Sequence, residues 1–200
     1  MNLEQAEAYF TELGKRVPTH TVIVLTGGIA ASILADARTT DDIDFALIKP
    51  LTEQWDQVAE LLNKLAKKHG IDIYFSEDMD RWSSVTLLDW KKHTTMHRKI
   101  GPLDVRILDP LYFSIGKIAR STDRDREDIK NVFKAQKVRW PQVLKLWAEA
   151  LKKSPRSVVI PRAKRQMEEF LQDFGAEIWG KSFSAEEAIN SFRQKLAPGR

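Results

Sequence analysis

Leu3, Ala6, Phe10 and Leu13 recur at helical spacing and predict a helix over residues 2–14. The period then changes. Thr21 to Leu25 is a β-branched run that predicts a buried strand, ended by Gly27 and Gly28. Ile29 to Ala35 follows as a short helix and Ile43 to Ile48 as a second strand. From Leu51 to Lys68, Trp55, Val58, Leu61, Leu62 and Leu65 form one apolar stripe on a helix that Gly70 closes. Ile71 to Phe75, Val85 to Leu88 and Leu103 to Leu108 are three further predicted strands.

Beyond Asp109 the pattern is helical throughout. Asp109 followed by Pro110 is a start signal, because aspartate caps free amides and proline suits a first helical turn. Leu111, Ile115 and Ile118 face the core of that helix. Thr122 and Asp125 form a capping box for the next, whose buried side is Ile129, Val132 and Phe133. Val143, Leu144, Trp147 and Leu151 mark a third helix. After a link from Pro155 to Pro161, Met167, Phe170, Leu171 and Phe174 mark a fourth, and Ala185 to Leu196 a fifth. The fold class is therefore α/β over residues 1–108, followed by a helical part over 109–200.

Composition narrows this picture. At 200 residues and 42% hydrophobic content the chain can bury a core as one large domain or two small ones. It has no cysteine, which excludes disulfides, thiolate metal sites and thiol nucleophiles. Glu4, Glu7 and Glu12 stand where a secretion signal would carry positive charge, and the stretch at 22–35 is too short and too glycine-broken to span a bilayer. A cytoplasmic location without membrane contact is expected. Net charge is uneven, −3 over residues 1–108 and +7 over 109–200. An acidic half seating metal and a basic half meeting a polyanion would produce that asymmetry, and so would solvated helix faces.

The chemistry concentrates in TGGIAASILADARTTDDIDF, residues 26–45. Strand side chains alternate, so Asp42 and Asp44 project to one side while Ile43 turns inward. Two neighbouring carboxylates repel one another unless a cation compensates, which makes them a seat for Mg²⁺, or Mn²⁺ in its place. Gly27 and Gly28 lack Cβ atoms and let the amides of the following helix approach a phosphate closely. This division of labour suits two-metal phosphoryl or nucleotidyl transfer, which usually takes one more carboxylate. Asp104 in PLDVRIL is preferred, because its strand runs into the C-terminal helices; Asp72 in GIDIYF has the same alternation and is the alternative. Lys117, Arg120 and Arg124 recur at steps of three and four, so they share a helix face able to neutralise a triphosphate.

Apolar strand, Gly27-Gly28, thirteen intervening residues, Asp42-Ile43-Asp44 and a later strand aspartate resemble the signature of the polymerase-beta-type nucleotidyltransferase superfamily. LDPLYFSIGKIARSTDRDREDI at 108–129 further resembles the branch of minimal bacterial nucleotidyltransferases that contains the AbiEii-like toxins. The resemblance implies a mixed β-sheet flanked by helices and a C-terminal helical bundle. It implies transfer of a nucleoside monophosphate from an NTP with release of pyrophosphate, to an RNA acceptor with tRNA foremost, and an antitoxin as protein partner. Carried over by position, Lys117 would meet nucleotide phosphate, with Arg120, Arg124 and Asp125 completing a basic wall. Gly28 stands where many superfamily members have serine, so a hydroxyl contact to phosphate is lost. A small molecule or a protein hydroxyl as acceptor, and a nucleotide-binding module without turnover, are the alternatives.

Other candidates carry less. His93 and His97 would share a helix face, but without a third ligand they predict no metal site. Trp140 and Trp147, one heptad apart, predict core packing, with base stacking as the lesser option. Arg156, Arg162, Lys164 and Arg165 could grip an RNA backbone or form an exposed hinge.

Overall fold

In the computed structural model of the chain, residues 1–36, 39–49 and 54–197 are described. Helix α1 (Leu3–Gly14) starts from a reciprocal cap: Asn2 Oδ1 accepts from the Gln5 amide at 2.9 Å, and Gln5 Oε1 accepts from the Asn2 amide at 3.0 Å. Its stripe of Ala6, Tyr9, Phe10 and Leu13 is fully buried. Strand β1 (Thr21–Thr26) follows, and helix α2 (Gly27–Ala35) begins at the first glycine, two residues before the predicted start. Strand β2 (Asp42–Lys49) leads to α3 (Trp55–His69), whose predicted first residues, Leu51 to Glu53, lie outside the described residues. Gly70, in the left-handed region at φ +65°, ends α3 and returns the chain to β3 (Asp72–Ser76).

Strands β4 (Thr94–Ile100) and β5 (Leu103–Leu108) complete a mixed five-stranded sheet of order β3-β2-β1-β5-β4. β1 runs antiparallel to β2 and parallel to β5, β3 is parallel to β2, and β4 is antiparallel to β5. Helices α1 and α3 pack together, with the Tyr9 hydroxyl donating to the Leu62 carbonyl at 3.4 Å.

Two expectations change here. Val85 to Leu88 is not a strand, because side chains take its backbone bonds. Ser83 Oγ donates to the Val85 carbonyl at 2.6 Å, Asp80 Oδ1 accepts from the Leu87 amide at 2.6 Å, and Ser154 Oγ accepts from the Thr86 amide at 2.9 Å. Conversely, the polar run TTMHRKI forms β4. Being a sheet edge, it has no strongly apolar face for periodicity to reveal.

The helices that follow are α4 (Pro110–Ile118), α5 (Asp123–Ala135), α6 (Trp140–Lys153), α7 (Val159–Trp179) and α8 (Ala185–Leu196). Pro161 lies inside the first turn of α7, where its missing N–H costs nothing, so the expected proline-bounded link is shorter than predicted. Trp147, Phe133, Phe170 and Phe192 fill the core of these helices. The Trp147 indole donates to Ser114 Oγ at 2.9 Å.

The chain divides into two compact units. One holds Met1–Met79 and Lys91–Asp109, with the whole sheet; the other holds Asp80–Trp90 and Pro110–Arg200, with the helices α4 to α8.

Candidate active site

Register decides what meets on the sheet. Thr26 pairs with Asp44, so the Asp44 carboxylate lies where β1 gives way to α2. Gly27 there has φ +64°, and a Cβ built on it would fall 2.0 Å from Asp44 Oδ2 and 2.8 Å from Asp44 Cγ. Only glycine accommodates both the left-handed backbone and the carboxylate against it. The Thr26 side chain makes no cap bond to α2. The opening of the helix therefore has the Asp44 carboxylate packed against its first residue.

Asp42 lies two residues earlier on β2, hence on the same face as Asp44 and about 7 Å along the strand. Thr40, itself buried, has its hydroxyl 3.2 Å from Asp42 Oδ1 and steadies the entry to the strand. On the neighbouring β3, Asp72 is level with Asp42 and Tyr74 with Asp44. Residues level on paired strands share a face, so Asp42, Asp44 and the exposed Asp72 occupy one end of one face.

Asp104, expected with that pair, is not there. It pairs with Val22, four residues back along β1 from Thr26, which puts its Cα about 16 Å from that of Asp44 on strand spacings. The face is right and the height wrong. Asp104 is instead part of a charge cluster at the opposite end of the sheet: its Oδ2 is 3.0 Å from His20 Nε2, and its Oδ1 is 3.6 Å from Lys99 Nζ. The His20 hydrogen bond, outweighing the effect of burial, holds the Asp104 carboxyl below the usual range. Between the two ends stands Arg106, level with Val24 and Ala46 on the same face. Its guanidinium is braced by Thr94, Nε to Oγ1 at 2.7 Å and Nη2 to the carbonyl at 2.9 Å. The alternation in LDVRIL already placed Arg106 on this face; its nearness to Asp44 depended on register.

Among the helices, Lys117 is 4% exposed, and its Nζ lies 3.0 Å from Asp125 Oδ1 and 2.8 Å from Asp128 Oδ2. Its charge is taken up inside the α4–α5 pair. Arg120 grips Asp125 through two bonds, at 2.9 and 2.7 Å, and Asp125 also closes the capping box with Thr122. Burial alone would raise the Asp125 carboxyl, but the Arg120 hydrogen bonds and the Lys117 charge outweigh it and hold the group well below the usual range. Arg120 and Arg124 are exposed. His97 lies on β4 and meets Glu7 at 2.7 Å rather than a cation. Among the described residues no three His, Asp or Glu side chains gather into a group that could hold a metal ion. Nor is any helix among them long and apolar enough to cross a membrane.

A mixed sheet whose central strand opens through a glycine turn into a helix, with aspartates two apart on the adjacent strand, defines an α/β protein with the Asp44 carboxylate at a helix N-terminus. The chain belongs to the family described as "Nucleotidyltransferase of unknown function (DUF6036)", which matches residues 1–172. The match therefore runs past the sheet and into α7, well beyond the region that carried the sequence resemblance. No curated protein and no solved structure matches the chain.

Proposed function

We propose that this nucleotidyltransferase moves a nucleoside monophosphate from an NTP to an RNA acceptor, tRNA foremost, with the carboxylate end of the sheet as its active site. The observation that carries this reading is the contact between Gly27 and Asp44. It sets the start of α2, suited to triphosphate oxygens, directly against a carboxylate suited to a divalent cation.

The donor set fits Mg²⁺ or Mn²⁺, since Asp42 and Asp44 offer hard oxygens. Mg²⁺ is commonly held by one or two protein carboxylates together with substrate phosphates, so a third close carboxylate is not needed before nucleotide arrives. When bound, the ion would offset charge on the triphosphate and on the leaving pyrophosphate. In the reaction the acceptor hydroxyl oxygen bonds to the α-phosphorus, and the bond from that phosphorus to the bridging oxygen of the β-phosphate breaks. Pyrophosphate leaves, and the hydroxyl proton passes to a carboxylate of this end. Asp72, level with Asp42, takes the third place in this proposal instead of Asp104. Of the basic triplet, Arg120 and Arg124 are exposed, and the burial of Lys117 between Asp125 and Asp128 suits a packing role. A toxin acting with an antitoxin is the cellular setting that the resemblance at 108–129 suggests.

The test incubates the full chain with Mg²⁺, total tRNA and each α-labelled NTP in turn. Label should enter RNA, and Asp42→Asn or Asp44→Asn should reduce it about 100-fold or more while the thermal melt is kept. Label in a protein or small molecule with RNA unlabelled would overturn the acceptor. No label in any acceptor would overturn the reaction.

A further inference from the structure

At the turn from α5 to α6 a cavity of about 420 Å³ opens against the last turn of α7. Its walls include two half-buried indoles, Trp140 and Trp179, over a floor of buried Phe133. The indoles are held in place: Trp179 Nε1 donates to the Val138 carbonyl at 2.7 Å, and Phe183 braces both rings at centroid distances of 4.9 Å from Trp179 and 6.0 Å from Trp140. Three cations share the rim, Lys134, Lys137 and Arg139, and no acidic residue lines the cavity. Lys134 is paired with Glu177 at 3.1 Å. Among the described residues Lys137 and Arg139 make no ion pair or side-chain hydrogen bond.

Flat apolar walls under unneutralised cations match a ligand with a flat ring next to an anion. A nucleotide unit has that chemistry. An aliphatic or acidic peptide would use the cations and leave the ordered indoles without a ring to stack on. We infer that this cavity binds a nucleotide unit of single-stranded RNA, the base against Trp140 and Trp179 and the phosphate with Lys137 and Arg139. Base–aromatic stacking with backbone neutralisation is tolerant of sequence, as suits an acceptor held away from its reacting end. The inference deepens the proposed RNA acceptor and depends on that reading for its role in catalysis; the binding itself is tested separately.

The experiment measures anisotropy of fluorescein-labelled oligouridine and oligoadenine on the full chain, from about 50 to about 200 mM KCl. Lys137→Ala combined with Arg139→Ala removes only exposed side chains and should leave the melt unchanged. It should weaken binding about tenfold at low salt and reduce the log–log salt slope by about 1.4, the share of two phosphate contacts on a single strand. Trp140→Leu should weaken binding about tenfold or more with the slope kept, as loss of one stacked base would. Absence of oligonucleotide binding by the wild type, or unchanged binding in the double variant, overturns the inference. So does displacement of the RNA by polyglutamate or by free UTP as readily as by unlabelled oligouridine.

Asp42→Asn, which should lose transfer, should bind oligonucleotide like the wild type. If the wild type labels no RNA but the double variant still binds more weakly, the transfer reading fails and the cavity assignment stands. If labelling and affinity are both untouched by the double variant, the cavity assignment fails and the transfer reading stands.

Discussion

Two residues carry opposite lessons about what a side chain is for. Gly27 combines a left-handed backbone with a carboxylate packed where its Cβ would be, so Gly27→Ala strains the backbone and also displaces Asp44. The backbone part alone should cost about 1–3 kcal/mol, visible as a lower urea midpoint. Nucleotidyl transfer per folded molecule should fall with it, because Asp44 moves. A variant of unchanged stability and activity would show that the glycine is not required. Lys117, by contrast, is a sequence-level candidate for phosphate that the fold uses internally. Lys117→Met strips two buried carboxylates, Asp125 and Asp128, of their shared cation and should destabilise the chain by about 3–5 kcal/mol. Arg124→Ala, on the exposed start of α5, should change stability by no more than about 0.5 kcal/mol. Equal urea midpoints for the two variants would refute the packing role of Lys117.

At the scale of elements, periodicity shows which face of a strand a residue takes but not how far along the sheet it stands. The alternation in DIDF and LDVRIL turned Asp42, Asp44 and Asp104 away from the apolar side of their strands, and the register puts the three on one face, with Asp104 buried. The height of Asp104 is set by its pairing with Val22, and pairing depends on where β5 comes to lie beside β1, which no local pattern encodes. Asp104→Asn should therefore leave transfer largely intact, whereas Asp72→Asn should lower it; the reverse result would restore Asp104 to the site. Element ends were legible where a cap marks them, as at Thr122 and Gly70, and illegible for β4, whose residues are polar because the strand is an edge.

Charge also joins elements. Glu12 on α1 meets Lys68 and His69 at the end of α3, both at 2.8 Å, and hydrogen bonds from Lys68 and then His69 hold its carboxyl at about 2 against an ordinary 4.5. A carboxyl lowered on folding stabilises above its unfolded value and loses that contribution as pH falls through the folded one. Stability should thus decline as pH drops from about 5 towards 2, with a shallower decline in Glu12→Gln. Urea midpoints across that range for both proteins supply the check, and parallel curves would remove Glu12 from the account.

For the whole molecule, the change from mixed to purely helical periodicity falls at Asp109, while the return of Asp80–Trp90 to the helical unit has no such mark in the sequence. A segment that crosses units has no compositional mark, and Val85 and Leu87 were apolar enough to pass for a strand of the sheet. They are buried, and Thr86 bonds Ser154 at the end of α6, so this segment should stabilise the helices rather than the strands. Leu87→Ala removes buried methyl groups and should cost about 2–5 kcal/mol. Hydrogen exchange on the full chain can assign that cost, since protection reports the local free energy of opening. Amides of α4 and α6 should exchange faster in the variant, while those of β1, β2 and β5 should keep their rates. Faster exchange confined to the strands would return Asp80–Trp90 to the sheet unit. Because the carboxylates of the proposed site all lie on β2 and β3, the expected pattern would also leave nucleotidyl transfer at low temperature unchanged.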